Sequence, residues 1–307
     1  MKFSNFLVIA LCIVVASCTI EKTDYEAEIA TETTEYFDFE VVTSVTYDGY
    51  TINIEALNGT LYKGYNEIHL TISDSQTEEP LEYLDVSFLP IVIDVNGNKT
   101  SCPHSYNLDY NAAEGYYSGY TVFTSESDTT VSWQAYIDFQ INSQSYAINQ
   151  TITIEEQSNM NLNMTAFTAS DNEQYFIALV SPQSPGISEN DLVAGIYKYN
   201  KPEQPAGTFP DLSQYSYAIV KGYTLLLDPR MPEPSMGNHS SPNNQNLTQQ
   251  SDSLYHGVVN YTMTGNWTLN FIFQNEDGQT LKGAEVSTDF TPGIEGAKSD
   301  LFIDILF

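Results

Sequence analysis

Apolar and polar residues alternate with period two over most of this chain. Ile52, Ile54 and Ala56 are interleaved with Thr51, Asn53 and Glu55, and Ile68, Leu70 and Ile72 with Glu67, His69 and Thr71. Trp133, Ala135, Ile137, Phe139 and Ile141 share one side of a further run whose other side carries Gln134, Tyr136, Asp138 and Gln140. Successive side chains of a strand point to opposite faces, so the pattern predicts strands with one dry and one wet face. Asn-Gly, Gly-Asn and Asp-Gly pairs between the runs supply turn signals. No stretch sustains helical spacing, and the expected fold is all-β, made of antiparallel sheets. His69 falls on the wet side of its strand and is expected to be solvated. Trp133 and Trp267 are expected core anchors, each with its indole N–H near a strand end.

The runs form two similar groups. Tyr117-Ser-Gly119 with Trp133 beyond it parallels Tyr255-His-Gly257 with Trp267, and Ser101-Cys-Pro103 parallels Ser240-Ser-Pro242. The chain is too long for one simple sandwich and comfortable for two. The repeat therefore predicts a duplication, with tandem sandwich domains over 38–158 and 172–307 and a polar, weakly patterned boundary between them.

The first residues point to export. Lys2, the apolar run from Phe6 to Val15, and Val15-Ala16-Ser17-Cys18 have the order of a lipoprotein leader. The run is too short to span a bilayer and reads as a cleaved signal over 1–17, with Cys18 as the lipidated residue. Residues 18–37 form an acidic tether, in which Glu21, Asp24, Glu26, Glu28, Glu32 and Glu35 face only Lys22. Such a segment resembles the surface-export signal of Bacteroidetes lipoproteins. The expected location is the bacterial cell envelope, with the chain anchored by lipid on Cys18, most naturally in the outer membrane. Its side of that membrane stays open. Cys12 leaves with the signal and Cys18 takes lipid, so Cys102 has no partner in the chain and is either buried or reactive. A net charge of −30 excludes nucleic acid as a partner and favours cations. There is no Gly-x-Ser-x-Gly elbow, no His-Glu-x-x-His and no carboxylate pair singled out by its surroundings, so no enzymatic activity is expected.

The segment that stands apart is 228–244. Met231, Met236 and His239 lie close together in a stretch that looks too rich in Pro and Gly for a helix or a central strand. Thioether and imidazole donors suit a soft ion such as Cu(I) far better than Mg²⁺ or Ca²⁺. Loop methionines with no core stripe to join are natural ligands, although flexible Met also plugs sandwich ends. Met263 shares strand parity with Tyr255, Val259 and Tyr261, which suits the core as well as a fourth ligand. His256 lies on the opposite face and is a minor candidate, able at most to orient a ligand. The equivalent positions of the first group, near Val92, Gly97, Thr100 and Ser125, carry none of these donors. Cys102 and His104 stand too close together to be distinguished from chance.

Met-Pro-x-x-x-Met-Gly-x-His-x-Ser-Pro-Asn from Met231, followed by Tyr-x-Gly-x-x-x-x-x-Met-x-Gly-x-Trp from Tyr255, resembles the YtkA/FixH-like domains. These are small extracytoplasmic β-sandwiches associated with copper handling and oxidase assembly. The resemblance covers about residues 223–273 and implies an Ig-like sandwich with a Met/His metal site of Met231, Met236, His239 and Met263. The expected function is then copper binding, as Cu(I), by a carrier, buffer or assembly factor with a copper donor or acceptor protein as partner. The alternative is a surface adhesion or glycan-binding lipoprotein with a vestigial metal loop, which 22 tyrosines set among Asn and Asp would also serve.

Overall fold

The computed structural model describes residues 38–307. The leader, the tether and Cys18 lie outside them. Among the described residues no helix is long and apolar enough to cross a membrane.

The alternating runs form the expected strands. The chain enters β1 (Phe39–Tyr47), β2 (Tyr50–Leu57), the short β3 (Leu61–Tyr62) and β4 (Gly64–Asp74). Then come β5 (Val86–Asp94), β6 (Lys99–Thr100), β7 (Asp109–Asn111), β8 (Tyr116–Phe123), β9 (Val131–Ile141), β10 (Gln144–Ile152) and β11 (Ile154–Glu155). One sheet has the order β1-β2-β4-β8-β7 and a second the order β10-β9-β5-β6, while β11 pairs with β3 in parallel. Ile52, Ile54, Ile68, Leu70 and Ile72 of the first sheet and Trp133, Ala135, Ile137 and Phe139 of the second are buried in one core. Polar residues alternate outward, as period two requires.

Past residue 163 the pattern begins again with β12 (Met164–Thr168), β13 (Gln174–Ser181) and β14 (Glu189–Tyr199). A 3₁₀ turn at Leu212–Tyr215 precedes β15 (Tyr217–Ile219), β16 (Thr224–Met231) and β17 (His239–Ser240). The last strands are β18 (Gln245–Gln249), β19 (Tyr255–Asn260), β20 (Asn266–Gln274), β21 (Thr280–Lys282) and β22 (Phe302–Leu306). The order β12-β13-β14-β19-β18 repeats β1-β2-β4-β8-β7, and β22-β20-β16-β17 repeats β10-β9-β5-β6, strand for strand in chain order. In this half two residue pairs of β16 with β18, Thr224 with Thr248 and Leu225 with Leu247, join the two sets into one continuous sheet. Its core includes Leu225, Leu247, Tyr255, Trp267, Phe271 and Ile303.

The two Tyr-x-Gly marks do the same work. Tyr117 is buried and donates its hydroxyl proton to the Leu81 carbonyl at 2.9 Å; Tyr255 is buried and donates to the Val220 carbonyl at 3.0 Å. A Cβ on Gly119 would lie 2.5 Å from Leu108 Cδ2, and one on Gly257 would lie 2.6 Å from the Gln245 carbonyl oxygen. Each glycine lets a neighbouring segment cross close against its strand.

Two sequence expectations need correction. His69 is not solvated. It is 5% exposed, its ring stacked between Phe39 at 3.7 Å and Tyr116 at 3.6 Å, with Nε2 3.2 Å from Glu67 Oε1. Period two placed it on the outer face correctly, but β1 and β8 set aromatic rings on that face around it. The 228–244 segment is not all loop either, because residues 228–231 complete β16. Pro229 has no N–H to give, yet its carbonyl accepts from Ser241 N at 3.4 Å in the interval between β18 and β17, where the ladder is interrupted.

The halves meet through a tyrosine-rich layer. Val122 of the first packs with Phe176, Ala178 and Tyr197 of the second. Tyr120 stacks on Tyr197 at 5.2 Å and on Tyr65 at 5.9 Å. The Tyr217 hydroxyl donates to the Ser101 carbonyl at 2.6 Å. Burial raises the phenol of Tyr197 above its ordinary range, so these rings stay neutral.

Candidate metal centre

The four candidate ligands come to one end of the second half. Met231 closes β16 and faces His239 of β17 directly across the strand pair. One step earlier Arg230 pairs with Thr268 of β20, which sets Met231 beside Trp267. Met231 is only 2% exposed and belongs to the core, contrary to the expectation of a loop methionine, because β20 and β17 flank it despite the prolines on either side. Met236 in the β16–β17 turn and Met263 in the β19–β20 turn are partly buried against the same core. A Cβ on Gly265 would lie 3.1 Å from Met231 Cε, so the Met231 methyl reaches the turn that carries Met263. The Trp267 indole donates to the Met263 carbonyl at 3.0 Å, and the His239 ring lies 6.3 Å from it.

His239 is held in a way the sequence did not disclose. Its Nε2 is 2.9 Å from the Thr262 hydroxyl. With the proton on Nε2 donated to that oxygen, the lone pair falls on Nδ1, the arrangement in which a neighbour fixes the tautomer of a ligating imidazole. The orienting role considered for His256 is not seen. Its Nε2 bonds instead to Asp252 Oδ2 at 2.8 Å. Arg230 is buried next to Met231, its Nε 2.9 Å from Asp228 Oδ2. Tyr261 packs on Trp267 at 5.4 Å and buries a hydroxyl that has no hydrogen-bond partner, and burial raises its phenol above the ordinary range.

Among the described residues no group of three or more His, Cys, Asp or Glu side chains converges to hold a metal. The donors gathered at the β16–β17 end are thioethers and one imidazole, a set that fits a soft monovalent ion and offers little to a hard one. Cys102 and His104 do not make a second site. The Cys102 thiol is buried, lies 3.4 Å from the Thr121 hydroxyl, and is pushed up to about 12 by burial. His104 turns its Nδ1 to the Cys102 carbonyl at 2.6 Å and not to the sulfur.

The two halves share this corner of the scaffold. Val92 pairs with Thr100 as Met231 pairs with His239. Gly97 N donates to the Asp94 carbonyl and Met236 N to the Glu233 carbonyl, both at 2.9 Å, closing equivalent turns. Trp133 pairs with Val92 and donates its indole proton to the Ser125 carbonyl, as Trp267 donates to Met263. Val92, Gly97, Thr100 and Ser125 thus occupy the places of Met231, Met236, His239 and Met263.

No family model matches the chain, and no curated protein matches it. Among solved structures, the crystal structure of the conserved domain protein from Bacillus anthracis aligns over 90% of this chain and 93% of its own, at 11% identity and a TM-score of 0.25. A similarity that slight carries no inference about activity.

Proposed function

We propose that the chain is a lipid-anchored, extracytoplasmic copper protein, and that its second half binds one Cu(I) through Met231, Met236, His239 and Met263. The observation that carries this reading is the comparison within the molecule. One scaffold corner is built twice, and the first half closes it with Val, Gly, Thr and Ser. The fold therefore does not demand three methionines and a histidine there, yet the second half supplies all four. The shared strand order also supports a duplication of one Ig-like unit, and the motif's resemblance to the YtkA/FixH-like domains points the same way.

Met231 is buried while Met236, His239 and Met263 keep some exposure. A site open on one side suits a carrier, buffer or oxidase-assembly factor, because an incoming partner can displace donors one at a time. The ion is cargo here. The protein supplies soft donors held at a strand end, an imidazole oriented by Thr262, and an acidic surface that draws cations.

Competition of the purified mature protein against a chromogenic Cu(I) chelator tests the proposal. One equivalent should be taken up, and Zn²⁺ should bind far more weakly, since thioether sulfur is a poor ligand for it. The M231L/M236L double variant preserves apolar volume and should lose no more than roughly 1.5 kcal/mol per site in stability, yet should lose most of its Cu(I) affinity. Equal Cu(I) affinity in parent and variant would remove the site. Saturating Cu(I) should also raise the melting point of the parent and not of the variant.

A further inference from the structure

The junction between the halves offers a further candidate, separate from the methionine end. A cleft of about 500 Å³ opens there, of a size that holds small ligands. One wall is a ridge of three rings. Phe176 meets Tyr217 edge-on at 5.6 Å, and Tyr217 lies against Tyr199 at 5.4 Å. These rings cannot swing freely, because the Tyr217 hydroxyl is tied to the Ser101 carbonyl and that of Tyr199 to the Gln214 carbonyl at 3.0 Å. Thr100, Thr124 and Gln174 also line the cleft and bring two hydroxyls and an amide to it.

The cleft has a roof that only one half possesses. Residues 200–216, between β14 and β15, have no counterpart in the first half, where 75–85 lead directly from β4 to β5. This segment crosses to the other half. Phe209 packs edge-on against Tyr136 at 5.3 Å, and Lys99 Nζ sits 3.7 Å above the Phe209 ring. Asp211 holds its shape by accepting from Gly207 N and Ser213 N. Tyr215 and Gln214 complete the lining from this side. The second half thus extends an added segment across the junction, where it encloses space that the two cores alone would leave open.

The lining chemistry narrows the occupant. Among the described residues no Asp or Glu lines the cleft, although the chain is strongly acidic. A metal ion or a cationic ligand would find no carboxylate in the lining, since Asp211 behind it is engaged by Gly207 N and Ser213 N. The only cation, Lys99, is already drawn to a ring face. What remains is a lining of tied aromatic rings together with neutral hydroxyl and amide groups, which suits a molecule with one apolar C–H face and a rim of hydroxyls. We propose that this cleft binds a neutral pyranose oligosaccharide, with a sugar face packed on the partly exposed rings of Tyr199, Tyr215 and Tyr217, which Phe176 backs from the core, and its hydroxyls bonded to Gln174, Gln214 and the two threonines.

The test uses the mature protein in chelator-containing buffer, screened on an array of neutral and acidic oligosaccharides and then titrated calorimetrically with its tightest neutral hit. One site per chain is expected. Tyr215→Ala and Gln174→Ala should each weaken binding at least fivefold, while Tyr215→Phe should match the parent and M231L/M236L should bind sugar normally. Hydrogen–deuterium exchange of the unmutated protein should show sugar-dependent protection over residues 99–101 and 214–217. Capture of no neutral glycan, undiminished binding by both alanine variants, or protection confined to other segments would each overturn the assignment. None of these outcomes depends on whether the methionine end holds copper.

Discussion

His104 makes the stability of the junction sensitive to mild acid. Its Nδ1 lies 2.6 Å from the Cys102 carbonyl, which can only accept, so the neutral ring carries its proton there. Further protonation must occur on Nε2, where the neighbours provide no negative charge. Tyr217 lies edge-on at 6.2 Å and Thr121 lies across an isolated bridge. Burial raises the phenols of Tyr217 and Tyr120, so neither is ionised. Desolvation accordingly lowers the imidazole from its ordinary 6.5 to about 4, against a smaller opposing effect of the Cys102 carbonyl. In the unfolded chain the same ring titrates near 6.5. Between those values the unfolded state binds more protons than the folded one. His104 therefore contributes its full stabilisation above about pH 6.5 and loses it progressively as the pH falls towards 4. At ~1.4 kcal/mol per pH unit the ceiling is roughly 3 kcal/mol. The residue keeps part of its surface in solvent, and screening there brings the expected loss to about 2 kcal/mol. That corresponds to roughly 5 °C in melting temperature for a unit of this size. Replacing His104 by Gln keeps an N–H for the Cys102 carbonyl and removes the titration. Melting curves at pH 7.5, 6, 5 and 4.5 should show the parent falling by several degrees more than H104Q. The exposed aspartates whose carboxyls are held low by turn hydrogen bonds, Asp74 by the Thr77 N–H, Asp94 by the Asn98 side-chain amide and Asp128 by the Thr130 hydroxyl, lose their contribution below the usual carboxylate range and affect both proteins alike. Parallel loss in the two proteins across this window would refute the argument.

Gly257→Ala should cost roughly 1–3 kcal/mol in urea unfolding, because the new Cβ meets a backbone oxygen. Gly119→Ala should cost a comparable amount, since Leu108 Cδ2 can rotate aside but Ser105 Cβ, 2.9 Å from the new atom, is fixed to its backbone; a neutral variant would contradict that argument. Residues 160–307, which contain all of the second core, should melt cooperatively when expressed alone, whereas a fragment without a transition would show that the tyrosine layer is an essential part of its core. Cys18→Ser should release the protein from the membrane fraction, and persistent association would place the anchor elsewhere.

Much of this architecture was legible because period two reports burial directly. Ile52, Ile54, Ile68, Leu70, Trp133 and Ile137 went inward as their spacing requires. What alternation cannot report is what a neighbouring strand places on the outer face. His69 is polar by position and buried by company, since Phe39 lies about thirty residues before it and Tyr116 nearly fifty after. Met231 failed for a related reason. Proline content near residue 230 suggested a loop, but β20 and the two residues of β17 supply enough pairing to carry the strand through Pro229. Thr262 gave no signal at all, since a threonine becomes a partner for His239 only when the β19–β20 turn folds back over β17.

The repeat was the sequence feature that reached furthest, and its value lies in what the two copies do not share. Two tryptophans donate their indole protons to a carbonyl in the preceding turn, and two strand-end pairs face them, Val92 with Thr100 and Met231 with His239. A core residue at the first position needs only apolar bulk, which Val satisfies in one half and Met in the other. Met236 and Met263 are harder to explain in that way, because Gly97 and Ser125 close the same turns with almost no side chain to bury. Core packing therefore accounts for Met231 and only in part for Met236 and Met263, which lie against the same core, while the proposed metal accounts for all four positions together. The decisive comparison is between Met231→Val and Met236→Gly, each of which restores the residue of the first half. If packing were the whole cause, Met231→Val would reduce stability and neither would affect Cu(I) uptake. If the four residues act jointly on an ion, Met236→Gly should weaken Cu(I) binding about as much as Met231→Val while changing the apoprotein's melting point less.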